Sequence, residues 1–467
     1  MSALASSSTI LHLGLGSFHR AHQALYLHRL IAAGDERWTI AAGNTRPDVP
    51  ETIAALAAQG GAYVLETVAT DGTRRYERVR SLRRVVPHTP DLAGLVGIGA
   101  DPATRIISFT VTEAGYHLDA EDRLIVDHPA LARDVDAARR HAPGPSLYAA
   151  LTAILRARRA AGAGSVTLLS CDNLRRNGDR SRAGLLQFIA AVGDAPLRDW
   201  VAANTTSPNA MVDRITPRPT PEIRSRVRAA TGRDDAAPVM AEAFIQWVIE
   251  DRFCNGRPAW ETVGATLVES VAPYEEAKIR ILNASHSAFA WGGAIAGLRF
   301  IHEAVARAPL RRLAFDFVTS DVIPCLSPSP LDLADYRDTV LDRFANAAIA
   351  DTVQRVASDS FSKIPTFVAP TLHDRLARGG PIDGAGALAA LFLGFLDRWH
   401  RGALGFAHED QAMVPAVARA ICVAPDPVAA LCADRGLWGA AAGDARFVDA
   451  VHRAVPRVVA LFDGAAR

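Results

Sequence analysis

Lysine is almost absent from this chain of 467 residues: of 51 basic residues, only Lys278 and Lys363 are lysine. A bias of that kind is expected of base composition that replaces lysine wherever arginine serves equally well. Arginine cannot be deprotonated in a protein, whereas lysine is readily tuned to act as a base. The two survivors mark either chance positions on the surface or places where arginine will not do. The neighbourhood of each decides.

Other absences narrow the class. The five cysteines (Cys171, Cys254, Cys325, Cys422 and Cys432) are odd in number and scattered, with no Cys-x-x-Cys pair. That argues against a disulfide framework or a zinc knuckle and fits reduced thiols in a cytoplasm. The formal net charge is only +1, so neither a nucleic acid nor a membrane surface is expected as partner. Residues 1–8 are small and polar without a basic segment, so no signal peptide is expected. The apolar run at residues 384–396 is too short to span a bilayer and reads as a buried helix. The length exceeds one ordinary core, which predicts two domains.

What is present alternates between strand and helix signals. Residues 9–13 (TILHL), 38–43, 105–111 (RIISFTV) and 165–170 (SVTLLS) read as buried strands. Helical patterns cover about residues 21–32 and 146–161. Such alternation argues for a parallel sheet with crossover helices. Beyond Pro273 helical stretches dominate, which places a boundary near residues 265–272.

Directly after the first strand comes Gly14-Leu15-Gly16-Ser17-Phe18-His19. Strand, glycine loop, helix is the order of a dinucleotide site, with the first glycine for the turn and the second for close approach to a pyrophosphate. The third glycine of the usual pattern is replaced by His19. The second strand should end near a ribose ligand. Asn44 or Asp48 suits the ribose hydroxyls of NAD, while Arg46 suits the 2′-phosphate of NADP; NAD is the expected cofactor. His19 and His22 form an H-x-x-H pair, but no further ligands accompany them in sequence, so no metal is expected.

Around the first lysine, residues 273–291 read PYEEAKIRILNASHSAFAW. Pro273 suits a first helical turn, and Glu275 and Glu276 suit its dipole. On an uninterrupted α-helix, with Lys278 at zero, Glu275 lies at about 60°, Asn283 at about 140° and His286 at about 80°. The four polar groups share one face, with Lys278 and His286 about 12 Å apart along the axis. The plain alternative is a satisfied polar cluster in the core. The chemistry of alcohol oxidation fits better: a lysine with a depressed pKa takes the hydroxyl proton, and neutral amides stabilise the oxygen left behind. Tyr274-x-x-x-Lys278 also has the spacing of short-chain dehydrogenases, in which tyrosine is the acid–base, although those chains are much shorter.

The combination resembles the polyol-specific long-chain dehydrogenases, the mannitol dehydrogenase family. Lys-x4-Asn-x2-His is present as Lys278, Asn283 and His286, and Gly-x-Gly-x-Phe-His-Arg-Ala-His as residues 14–22. TVTEAGY (110–116), SCDN (170–173) and MVDRITP (211–217) match as well. The resemblance implies an α/β fold: an N-terminal Rossmann-like parallel-sheet domain (1–270) followed by a mainly α-helical C-terminal domain (271–467). It implies an NAD-dependent, metal-independent, cytoplasmic and monomeric enzyme acting on a small polyol or ketose.

It also implies roles. Lys278 is the base, Asn173 and Asn283 are the donors around the reacting oxygen, and Glu275 relays the proton to solvent. His286 and Asp213 orient the polyol, and Glu113 lies near the nicotinamide. Gly14, Gly16, Ser17, Phe18, His19, Arg20 and Asn44 hold the dinucleotide. The stretch RVASDSFSK supplies Arg355, Ser358 and Lys363 to the far end of the substrate. Mannitol enzymes tend to carry histidine where Ser358 stands. Residues 244–251 (FIQWVIED), 284–291 and 323–330 (IPCLSPSP) look most like members acting on D-arabinitol, which implies D-arabinitol to D-xylulose. Mannitol oxidation and hexuronate reduction are the alternatives within the family. A dinucleotide sensor without turnover is the alternative outside it, and the Lys278, Asn283, His286 and Asn173 set argues against that.

Overall fold

The computed structural model describes residues 7–119 and 121–462. Residues 1–6, which carry most of the segment where no signal peptide is expected, lie outside the described residues. Two compact units are present. One covers the chain up to Val68 together with Arg74–Ala272; the other covers Ala69–Thr73 and the chain from Pro273 onward.

Among the described residues the first unit contains twelve strands: β1 (Ser8–Leu13), β2 (Trp38–Gly43), β3 (Tyr63–Val68), β4 (Arg74–Val79), β5 (Leu82–Val86), β6 (Thr104–Phe109), β7 (Val166–Ser170), β8 (Thr205–Thr206), β9 (Ala210–Asp213), β10 (Val239–Glu242), β11 (Gln246–Glu250) and β12 (Thr266–Val268). Six of them form one parallel sheet in the order β5-β2-β1-β6-β7-β8. Counted within this sheet, the chain starts in the middle, winds to one edge, returns and winds to the other, which is the doubly wound dinucleotide-binding topology. Side chains alternate between two cores. Ile10 and Ile106 join one cluster, and Leu11, Leu13, Ile107 and Phe109 the other, as the two-residue period of a strand requires. A sheet covered on both faces explains why these strands read as apolar runs rather than alternating ones.

The expected strands are found, with ends shifted by a residue or two. The helix expected over 21–32 is instead two, Ser17–Ala21 and Gln23–Ala32, broken at His22 (φ −124°, ψ −93°). The helix Leu147–Ala160 starts where Ser146 Oγ accepts the Ala149 N–H, a regular N-cap. Two further sheets were not expected: β10-β3-β4 and β12-β11-β9. Strand β4 (RRYERV) has only Val79 buried among its six residues and carries almost no apolar signal.

The second unit is helical. Its longest helix, Asp383–His400, contains the expected buried run, with Leu388, Leu391, Phe392, Phe395 and Leu396 fully enclosed. Among the described residues no helix is long and apolar enough to cross a membrane. Three of the described segments are π-helical: Lys278–Asn283, Val318–Val322 and Ile364–Val368. The first corrects the expectation of one uninterrupted α-helix over residues 273–291. The order is α-helix Ala272–Ala277, π-helix Lys278–Asn283, α-helix Ala284–Ile295.

Candidate active site

All six strands of the main sheet are parallel, so their carboxyl ends share one edge. The glycine loop follows β1, residues 44–48 follow β2, TVTEAGY follows β6 and SCDN follows β7. Ligands of such sheets sit at this edge, where the winding direction switches between the central strands.

The two glycines of the loop do different work. Gly14 has φ 104°, and a Cβ there would lie 2.1 Å from the Thr110 carbonyl oxygen. Only glycine lets the turn pass this close to the end of β6. Around Gly16 a Cβ would meet nothing nearer than the Gly14 oxygen at 3.9 Å, and Gly16 itself is exposed. The loop therefore leaves an open cradle above Gly16 at the carboxyl edge, which fits a dinucleotide phosphate. Ser17 and Phe18 are half-buried beside it.

His19 and Arg20 do not face that cradle, contrary to their expected contact with the cofactor. His19 is 1% exposed and stacks on His12, with ring centroids 3.4 Å apart. Arg20 is 2% exposed; it donates to the Gly16 and Ala237 carbonyls, and its own carbonyl accepts the Tyr63 hydroxyl. Both side chains brace the loop from beneath. His12 Nε2 donates to the Gly14 carbonyl at 3.1 Å, and its Nδ1 lies 2.8 Å from Ser108 Oγ. Burial holds His12 down at about 3 and His19 well below the ordinary histidine range, so both rings are neutral at working pH. His22 turns away from His19, packing on Phe18 and Trp247 with Nε2 on the Gln246 carbonyl.

Asn44 is committed to the protein as well. Its Oδ1 accepts the Leu15 N–H at 2.7 Å and its Nδ2 donates to the Asp48 carbonyl at 3.1 Å. Its side chain thus spans the glycine loop and the loop after β2 rather than standing free for a ribose. The exposed side chains there are Asp48 and Arg46, paired at 3.0 Å.

The loops after β6 and β7 meet through a residue that sequence reasoning passed over. Asp172 accepts the backbone N–H groups of Val111 and Thr112 at 2.8–3.0 Å and the Tyr116 hydroxyl at 2.7 Å. Burial pushes its carboxyl up to about 6 against the pull of those donors. Its position inside the SCDN motif was the available signal. This clamp sets Glu113 beside Asn173, whose amide lies 3.4 Å from Glu113 Oε1, with both residues exposed at the carboxyl edge. Asp213, at the end of β9, is buried opposite Gln246.

In the second unit Lys278 and Glu275 are buried, at 7% and 6% exposure. The π-helix changes the angular arithmetic. Its hydrogen bonds run from residue i to i+5, so Lys278 and Asn283 stand one above the other instead of about 140° apart. Tyr274 is half-buried one turn earlier. Glu276 is occupied elsewhere, holding Arg280, which also reaches Asp374.

His286 stacks on Phe344 (4.5 Å, 20°), and its Nε2 lies 3.1 Å from Asp351 Oδ2. Burial lowers the His286 pKa and Asp351 opposes that shift. The same Asp351 receives a fork from Arg355, Nε at 2.7 Å and Nη2 at 2.6 Å. Four residues on from Asp351, the arginine is read from sequence as a substrate group; the acid linking it to His286 left no comparable trace. Lys363 Nζ donates to the Val356 and Ser358 carbonyls at 2.7 and 2.6 Å, and burial presses its pKa down to about 8. Ser358 Oγ donates to the Gln354 carbonyl.

Residues 8–262 match the model of the mannitol dehydrogenase Rossmann domain, and residues 270–459 that of the mannitol dehydrogenase C-terminal domain. The chain belongs to the mannitol dehydrogenase family. It is 58% identical over 98% of both chains to D-arabinitol 4-dehydrogenase of Ralstonia nicotianae. The Klebsiella pneumoniae D-arabinitol 4-dehydrogenase is 48% identical, over 97% of this chain and 99% of that one. Among solved structures, mannitol 2-dehydrogenase of Pseudomonas fluorescens, in ternary complex with NAD and D-mannitol, is 34% identical with a TM-score of 0.83, covering 98% of this chain and 94% of that one. As a member of the mannitol dehydrogenase family, the chain is a polyol dehydrogenase with a Rossmann dehydrogenase domain.

Proposed function

We propose that this enzyme oxidises D-arabinitol to D-xylulose with NAD. The carrying observation is the Lys278–Asn283 pair on its π turn, in a chain this similar over its whole length to D-arabinitol 4-dehydrogenases. Lys278 is the general base. Its amine, enclosed at 7% exposure, takes the proton of the reacting hydroxyl. Glu275, one turn earlier, passes that proton on towards solvent. Asn173 and Asn283 donate hydrogen bonds to the oxygen as it gains charge, which is stabilisation from groups already oriented. His286 and Asp213 orient the polyol, and Arg355, Ser358 and Lys363 stand at its far end. This base and these donors handle proton and charge with no metal in the scheme.

When bound, the dinucleotide supplies the hydride acceptor. Gly14, Gly16, Ser17 and Phe18 would hold its phosphates, and Glu113 would border the nicotinamide. Asp48, pairing with Arg46 after β2, supports NAD over NADP, because the acid neutralises the cation that a 2′-phosphate needs.

The test is formation of NADH or NADPH with D-arabinitol, D-mannitol, D-sorbitol and a hexuronate couple, each with NAD and with NADP. D-arabinitol with NAD should give the highest kcat/KM; a better rate with another substrate or cofactor overturns that part of the proposal. Lys278→Ala should lose most of kcat while still binding NADH. A mild Lys278→Ala beside a crippled Tyr274→Phe would move the base to the tyrosine.

A further inference from the structure

We propose that Asp351 is the specificity-determining residue that turns this site towards uncharged polyols and away from carboxylated sugars. The inference rests on the reading of His286 and Arg355 as substrate-facing, and it adds a residue with no assigned role.

Three observations carry it. First, one carboxylate serves two groups. Asp351 takes the two-pronged fork of Arg355 and also lies 3.1 Å from His286 Nε2. Bidentate pairs of this kind are the strong, geometrically specific ones. The acid is enclosed, with its side chain 10% exposed against 63% for Arg355, so the arginine is the more open partner and its charge is already matched from within.

Second, the acid stands on a firm mount. Its carbonyl accepts the Ile301 N–H at 2.9 Å, and Val353 N–H donates to the Arg299 carbonyl at 2.9 Å. Ala350, just before it, is held at φ 51°, a conformation a non-glycine residue keeps only when its surroundings impose it. Phe344 fixes the His286 ring plane. The Asp351 carboxylate lies 3.1 Å from Nε2, so a neutral ring that carries its proton on that nitrogen keeps Nδ1 as an acceptor, and an acceptor suits a hydroxyl proton rather than a carboxylate.

Third, the other cation nearby is also spent. Lys363 directs two of its three donors at the Val356 and Ser358 carbonyls. A substrate carboxylate arriving here would find one guanidinium already neutralised, one ammonium held by backbone oxygens and the charge of Asp351 close by. A misplaced like charge is a standard way of rejecting the wrong partner.

The experiment compares reduction of D-xylulose and of D-fructuronate by NADH in the wild type, Asp351→Asn, Arg355→Gln and the double variant. Asp351→Asn should raise the fructuronate-to-xylulose ratio of kcat/KM by about ten- to hundredfold, the effect of one released charge-assisted contact, chiefly through KM for fructuronate. The gain should vanish in the double variant, because it depends on the freed Arg355. An unchanged ratio, or a gain that survives loss of Arg355, overturns the proposal. Should Asp351→Asn not fold, fructuronate inhibition of the wild type and of Arg355→Gln decides. Equal, weak inhibition supports the matched pair, whereas a tenfold loss in Arg355→Gln shows a free arginine and refutes it. A wild type inactive on D-arabinitol and D-xylulose would instead sink the proposed substrate and leave the charge ratio to be read on whichever ketose is turned over.

Discussion

The carboxylate of Asp172 accepts the backbone N–H of Thr112 at 2.8 Å, and Thr112 is held at φ 65°. For a β-branched residue that is a genuine outlier, lying next to Glu113 at the sheet edge. Three donors converge on the acid, and an asparagine in its place would meet them with a single acceptor oxygen. Asp172→Asn should lower kcat/KM about tenfold or more, in proportion to the lost charged hydrogen bonds. A second readout separates this from general damage. The folded carboxyl titrates at about 6 against an ordinary 3.8, so the folded chain binds the extra proton between those values. Stability from this group therefore falls as pH rises from about 4 to about 6, by roughly 3 kcal/mol, and stays low above it. Chemical denaturation of wild type and variant across that window should show the slope only in the wild type.

The π segment predicts an effect of register. Inserting one alanine after Ile279 sets Asn283 six positions beyond Lys278 and rotates it out of line with the lysine, whether the segment stays π-helical or closes as a regular α-helix. Misplacement of about 1 Å costs on the order of a hundredfold in rate. The insertion should therefore lower turnover by at least about that factor while circular dichroism stays native. Activity within about threefold of wild type would show that the π turn has no part in the reaction.

The two loop glycines should respond in opposite ways. Gly14→Ala sets a methyl against the Thr110 carbonyl in an unfavourable backbone conformation, costing roughly 2–5 kcal/mol of stability. Gly16→Ala has room in the protein, so its unfolding temperature should stay near wild type while NADH titration shows weakened binding. Unchanged NADH affinity in Gly16→Ala would remove the phosphate from that cradle.

Acid should loosen the loop from beneath. His12 titrates near 3 when folded and near 6.5 when unfolded, so the unfolded chain takes up the proton first. Its contribution is fully present above about 6.5 and declines as pH falls towards 3, at about 1.4 kcal/mol per unit for the single site. His12→Gln should flatten that part of the stability profile; a profile identical to wild type would remove His12 as the cause.

Much of this was legible in the chain because strong local signals and tertiary structure agree. β1, β2, β6 and β7 are buried on both faces, so they appear as apolar runs, and the glycine loop follows the first of them. The polar strand β4 was not legible, since nothing local distinguishes it from a loop. Motif membership marked Glu113, Asn173, Lys278 and His286 but not which way side chains turn. His19 and Arg20 sit in the loop signature yet point into the core. Asp351 was invisible because its meaning lies in a contact with His286, 65 positions away. The π turn was hidden for a different reason: one extra residue in a turn changes no composition, only the angle at which neighbours face.

The Asn44 side chain has a consequence for anyone redesigning cofactor choice. One amide group spans the Leu15 N–H and the Asp48 carbonyl, so the loop after β2 and the glycine loop are mechanically a single part. A substitution at Arg46 or Asp48 that moves the Asp48 backbone passes that movement through Asn44 to Leu15. Selectivity and grip are thereby coupled, and variants with inverted preference will bind both dinucleotides more loosely unless that one amide is kept in place.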